Sequence, residues 1–254
     1  MSSTSAETEL LIVRHGETQW NAEGRVQGSG DSSLTVRGLS MAKALASRLR
    51  SGRKEIHACY ASPLGRAYHT AQILCSSEGG VNLPITREPR LAERSFGVLE
   101  GLTDDEQRQM FPQVKLAISA GDDDYAPPGG GESKSEVRAR VLEALDEIVR
   151  AHPGQRVLIV THGAVLGTIA RSVLGLSHSA AMEKPNCVIN LLRWRKGKWE
   201  IAIWGDAGEF CAVLPHGEWL VDTSAALRLI GMGFVLGAIA GTLWGAALAS
   251  RRRQ

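Results

Sequence analysis

The sequence predicts a three-layer α/β/α protein on a mostly parallel sheet, with one transmembrane helix at its C-terminus. Three observations predict it. Two buried-strand patterns echo each other, LLIVRHG at 10–16 and VLIVTHG at 157–163. Helical periodicities alternate with short apolar runs between them. A run of 22 uncharged residues, 229–250, lies just ahead of an arginine-rich end.

The composition is compatible with this. Of 254 residues 43% are hydrophobic and 22% charged, too apolar for a disordered chain and enough to bury a large core. Basic residues number 29 and acidic residues 27, a net charge of +2. The basic excess belongs to the tail, because residues 223–254 hold Arg228, Arg251, Arg252 and Arg253 and no acid. A near-neutral body excludes a general nucleic-acid binder. The cysteines (Cys59, Cys75, Cys187, Cys211) form no CxxC pair and sit in or beside apolar stretches, so they read as reduced thiols rather than zinc ligands.

Taken in order, residues 1–9 are a Ser/Thr-rich lead-in with neither the basic nor the apolar region of a signal peptide, expected to be disordered. Residues 10–215 form the main domain. Its first strand is the apolar run ending in Arg14-His15-Gly16, of the kind buried on both faces of a parallel sheet. Thr35–Ser51 places Leu39, Ala42, Ala46 and Leu49 at helical spacing, with Gly52 as a stop. His57–Ser62 reads as a short strand and Leu64–Ser76 as a helix, with Pro63 at its start. Asp122–Gly131 is a loop by composition. Glu132–Ala151 is the longest helix of the body, with Val137, Val141, Leu145 and Ile148 on one face. Cys187–Arg193 and Trp199–Trp204 read as late strands joined at Lys196-Gly197-Lys198.

A linker, 216–228, leads to the uncharged segment 229–250 and the basic tail 251–254. At about 1.5 Å per residue, that segment as a helix crosses a hydrocarbon core of roughly 30 Å. Gly233, Gly237, Gly241 and Gly245 recur every fourth residue and would line one face, a surface suited to self-association. With no N-terminal signal, this arrangement resembles a tail anchor that leaves the body facing the cytosol. The basic flank resembles tail anchors of organelle outer membranes.

The chemistry concentrates where the strands end. A neutral imidazole is a competent nucleophile towards phosphorus, and arginine is a permanently charged fork matched to phosphate oxygens. Two strands ending in His-Gly would bring two imidazoles into one crevice, because open α/β sheets bind ligands beyond their carboxyl ends. Four segments appear in order: LIVRHGETQWNAEGRVQG at 11–28, ASPLGRAYHTAQIL at 61–74, LAERSFGVLEG at 91–101 and VTHG at 160–163. Together they resemble the histidine phosphatase superfamily, also called phosphoglycerate-mutase-like, over about residues 9–210.

The resemblance implies roles for particular residues. His15 becomes phosphohistidine. Arg14 and Arg66 hold phosphate oxygens, and His162 donates to phosphate as the second histidine. Glu93 protonates the leaving oxygen and then activates water, with Glu100 as the competing acid. Asn21 and Gln27 line the phosphate and substrate mouth. Neither a metal nor any other cofactor is implied, since arginines supply the positive charge. The superfamily includes mutases, which carry a longer segment between acid and second histidine and a lysine where this chain has Asp104. Glu93 and His162 are only 69 residues apart, and Asp104 would repel a substrate carboxylate. The expectation is therefore a metal-independent phosphomonoesterase for a small phosphorylated metabolite. Its segments at 126–133 and 199–210 resemble those of metal-independent phosphoserine phosphatases. A phosphoglycerate mutase is one alternative and a catalytically silent, membrane-tethered adaptor another.

Overall fold

A computed structural model describes residues 7–175 and 184–207. In chain order the elements are β1 (Thr8–Arg14), α1 (Gln19–Ala22), α2 (Val36–Ser51), β2 (Ala58–Ala61), α3 (Gly65–Leu74), β3 (Ile85–Arg87), α4 (Asp104–Met110), α5 (Pro112–Ser119), α6 (Lys134–Ala151), β4 (Arg156–Thr161), α7 (Gly163–Leu174), β5 (Ile189–Arg195) and β6 (Lys198–Asp206). The strands form one sheet in the order β3-β2-β4-β1-β5-β6.

Helices cover both faces. Leu11 and Val13 of β1 pack with Met41, Ala42, Leu45 and Leu49 of α2 and Ala67 and Ala71 of α3. Leu10 and Ile12 point the other way, onto Val141, Leu145 and Ile148 of α6 and Leu166 and Ile169 of α7. This two-sided burial is why β1 and β4 read as continuous apolar runs. The helices start where the sequence caps them. Thr35 accepts from the Gly38 N–H ahead of α2. Ser133 and Glu136 form a capping box ahead of α6.

The sheet is mixed: parallel pairing holds through most of its width, as expected, and antiparallel pairing enters at one edge. β1, β2, β3 and β4 pair in parallel, whereas β5 runs antiparallel to β1 and to β6. Between β5 and β6, Lys196 and Gly197 both have positive φ, 50° and 75°, and close a tight hairpin that needs no crossover helix. β5 begins at Ile189 rather than Cys187, whose φ of 54° takes it out of the strand.

The lead-in is also shorter than expected. Thr8 and Glu9 are buried in β1, where Glu9 binds Arg156 and Lys54. The elements β3, α4 and α5 are additions to the sequence reading. The linker 216–228, the apolar segment 229–250 with Gly233, Gly237, Gly241 and Gly245, and the tail 251–254 lie outside the described residues. Among the described residues no helix is long and apolar enough to cross a membrane.

Candidate active site

The four parallel strands deliver the site at their carboxyl ends. In the β1–β4 register Arg14 lies opposite Thr161, so the next residues, His15 and His162, come side by side. The His15 N–H donates to Thr161 O at 2.9 Å, and the two imidazole centroids are 5.2 Å apart. β2 adds Ser62 and then Arg66, in the first turn of α3. The segment after β3 adds Glu93.

Each imidazole has one nitrogen tied to a neighbour. His15 Nδ1 lies 2.8 Å from Gly16 O; a carbonyl only accepts, so Nδ1 carries the proton and Nε2 has the lone pair. Arg66 Nε donates to that Nε2 at 3.3 Å. Burial, then the guanidinium groups of Arg14 and Arg66, push the His15 pKa well below the ordinary histidine value. His162 is lowered likewise, by burial, then by His15, Arg66 and Arg14. Both rings are therefore neutral at physiological pH. His162 Nε2 is 2.7 Å from Ser62 Oγ, and its Nδ1 is buried without a hydrogen-bond partner among the described residues. The same holds for Arg14 Nε, while Arg14 Nη1 donates to Lys184 O at 2.7 Å.

Glu93 closes the pocket. Its carboxylate accepts from the Ala164 N–H at the start of α7, at 3.1 and 3.2 Å, and from the Arg94 N–H at 3.0 Å. A methyl group at Gly163 would sit 3.6 Å from Arg14 Cζ and 3.8 Å from Glu93 Oε2, so acid and arginine converge over that glycine. Arg66 is buried, donating to Gly28 O (2.8 Å), Gly30 O (2.7 Å) and Asp31 Oδ1 (3.2 Å).

Glu100 is the residue that holds the Gly28–Asp31 loop against Arg66. It accepts from Ser29 N (3.0 Å), Ser29 Oγ (2.7 Å), Gly30 N (3.1 Å), Ser95 Oγ (3.1 Å) and Phe96 N (2.8 Å). Its oxygens are thus engaged by the loop, where the sequence had offered it as a competing acid. Gly28 must be glycine, with φ +55° and its missing Cβ position 2.0 Å from Glu100 Oε1.

The five central residues His15, His162, Arg14, Arg66 and Glu93 come together. Asn21 and Gln27 are one layer removed. Asn21 caps α1 and meets Asn186 Nδ2 at 3.5 Å, while Gln27 Oε1 accepts from Ser32 at 3.2 Å. Among the described residues neither hydrogen-bonds to the central five.

Residues 10–207 match the family model of the histidine phosphatase superfamily, branch 1. The chain belongs to this superfamily. It is 37% identical over 207 residues to the metal-independent phosphoserine phosphatase of Arabidopsis thaliana, covering 81% of this chain and 84% of that protein. It is 36% identical over 203 residues to the probable phosphoglycerate mutase GpmB of Enterobacter sp. (strain 638), covering 77% and 89%. Among solved structures it is similar to Bacillus stearothermophilus YhfR, with a TM-score of 0.71, 39% identity and coverage of 78% and 97%.

Several residues of this histidine phosphatase site carry no sequence signal of their own. Ser62 stands inside a quoted segment but says nothing alone. Arg140 donates to Arg90 O and Ala92 O, both at 2.7 Å, and to Glu93 O at 3.2 Å, steadying the acid's backbone from mid-helix. Asn186 Nδ2 donates to His15 O at 2.7 Å from a position 171 residues away. Only the fold brings these together.

The neutral histidine phosphatase imidazoles have a consequence for stability. Unfolding restores His15 and His162 to about 6.5. Below that pH the unfolded chain binds protons the native state refuses, so stability is full above 6.5 and falls on acidification. The slope approaches about 1.4 kcal/mol per pH unit for each ring. Urea unfolding at pH 7.5 and 5.5 should differ by on the order of 2 kcal/mol; equal stabilities would show that the rings are not held neutral.

Proposed function

We propose that the chain is a phosphomonoesterase acting on a small phosphorylated metabolite through a phosphohistidine at His15. One observation carries the reading. The neutral His15 ring keeps its Nε2 lone pair on the side of Arg66, and its neighbours Arg14 and His162 each hold a buried nitrogen, Nε and Nδ1, that has no partner among the described residues. Buried polar groups are rarely left unmatched. Oxygens of a phosphoryl group on His15 would meet both, with Ser62 O–H donating to His162 Nε2 so that Nδ1–H faces the phosphate.

In the first half-reaction His15 Nε2 forms a bond to phosphorus and the ester P–O bond breaks, Glu93 giving its proton to the leaving oxygen. In the second, Glu93 takes a proton from water, the water oxygen bonds to phosphorus, and the Nε2–P bond breaks to release inorganic phosphate. The arginines offset charge that gathers on the equatorial oxygens. They take the part a divalent ion plays elsewhere, so turnover is expected to survive EDTA.

Similarity to a phosphoserine phosphatase supports the hydrolase reading. Similarity to a probable phosphoglycerate mutase keeps the mutase as the second. Asp104 does not decide between them. Its carboxylate is engaged by Lys115 and Arg108 on the exposed start of α4, not left free to repel a substrate. The length, lack of charge and arginine flank of 229–250 support a membrane tether, with the catalytic body in the cytosol and an organelle outer membrane as its site. The recurrence of Gly233, Gly237, Gly241 and Gly245 at every fourth residue supports self-association.

The full chain and a chain ending at residue 228 should both hydrolyse p-nitrophenyl phosphate in EDTA, and only the full chain should sediment with membranes. Absence of turnover favours the adaptor reading, and 3-phosphoglycerate isomerisation dependent on bisphosphoglycerate favours the mutase. Membrane retention of the shorter chain removes the tether.

A further inference from the structure

The face of α7 that looks into the pocket continues beyond it. Gly163 faces Arg14 and Glu93, and Gly167, one turn on, is the next residue of that face. A Cβ at Gly167 would lie 3.2 Å from Lys184 Nζ and 3.4 Å from Arg171 Nη1. Two cations thus crowd one point, on the order of 6 Å along the helix from the junction of Arg14 and Glu93. Gly167 leaves that point open.

The pair is poorly compensated. Burial, then Arg171 and Arg14, lower the Lys184 pKa, and the opposing carboxylate is that of Glu93. Lys184 and Arg171 are both half-buried, and neither side chain has a hydrogen-bond or ion-pair partner among the described residues. Solvation of the chain ends or the pull of the α7 C-terminus would be served by rotamers pointing away from each other. Lys184 is also fixed relative to the reacting centre, because its carbonyl accepts from Arg14 Nη1 at 2.7 Å and the Cys187 N–H donates to Arg14 O at 3.0 Å.

We propose that Lys184 and Arg171 form a second anion site that binds a carboxylate on the same substrate whose phosphate meets His15. Preferred substrates are then small phosphomonoesters with a carboxylate a few bonds from phosphorus. This rests on the phosphatase reading above and narrows it.

Two phosphonates that cannot be hydrolysed separate the two readings. Calorimetric titration compares 3-phosphonopropionate with propylphosphonate, which lacks the carboxylate. The full chain should bind the carboxylate-bearing ligand roughly ten-fold or more tightly, the scale of one charge-assisted hydrogen bond. The double substitution Lys184→Gln, Arg171→Gln should erase that ratio, and Lys184→Arg should keep it. Should the double variant not fold, Arg171→Gln alone should reduce the ratio. Equal binding of the two phosphonates by the unaltered chain, or a ratio unchanged by the substitutions, overturns the second site and leaves the phosphate pocket standing. Binding of neither phosphonate removes the pocket, and both readings with it.

Discussion

Replacing His15 by alanine should lower kcat for p-nitrophenyl phosphate by on the order of 10⁴-fold or more, the scale seen when a covalent nucleophile is removed. Among the described residues no second group is placed to substitute: His162 is the one other imidazole in contact with His15, and its Nε2 is held by Ser62 at 2.7 Å. Affinity for inorganic phosphate should fall far less, because Arg14, Arg66 and His162 remain. That split between turnover and binding distinguishes loss of a nucleophile from collapse of the pocket. Brief reaction with radiolabelled substrate, then acid and alkali treatment, should give an acid-labile, alkali-stable adduct on residue 15 in the unaltered chain and none in the variant. Label on another residue, or near-normal turnover by His15→Ala, would end the phosphohistidine mechanism.

The reacting pair was legible because two local patterns coincide with one register. LLIVRHG and VLIVTHG each encode a strand buried on both faces, and each ends in His-Gly. Pairing Arg14 with Thr161 then makes the juxtaposition of the two histidines a matter of geometry. The hairpin of β5 and β6 was legible at Lys196-Gly197-Lys198, but the antiparallel course of β5 against β1 was not, since a strand's direction is set by the connection that precedes it. β5 and β6 carry the same apolar content whichever way they run.

The support around the pocket escaped for a related reason. Arg140 reads as one charged position on an amphipathic helix, yet its guanidinium gathers the carbonyls of Arg90, Ala92 and Glu93. Glu100 stands in the same quoted segment as Glu93 and has the same chemistry. They are told apart by what donates to them: Glu100 faces five donors from two loops, and Glu93 faces the first turn of α7 beside Arg14. Side-chain type gives the capacity for acid chemistry, and only the surrounding donors assign it.

Replacing Glu93 by glutamine tests that assignment, and its effect should depend on the leaving group. Glutamine is nearly isosteric and keeps an amide oxygen for the Ala164 and Arg94 N–H groups, so the pocket should stay in place. What it cannot do is give or take a proton. An alkyl phosphate such as glycerol phosphate departs as a strongly basic oxyanion, so loss of the acid should cost about 10²–10⁴-fold in kcat/KM. p-Nitrophenolate needs little protonation, so His15 should still be phosphorylated at a rate close to that of the unaltered chain. Hydrolysis of the phosphohistidine then becomes slow, because water has lost its base, and p-nitrophenol should appear as a burst of about one equivalent per site. Rapid-quench measurement of both phases decides the matter. An equal loss on both substrates without a burst would mean that Glu93 holds the α7 end of the pocket in shape and that another group moves the proton.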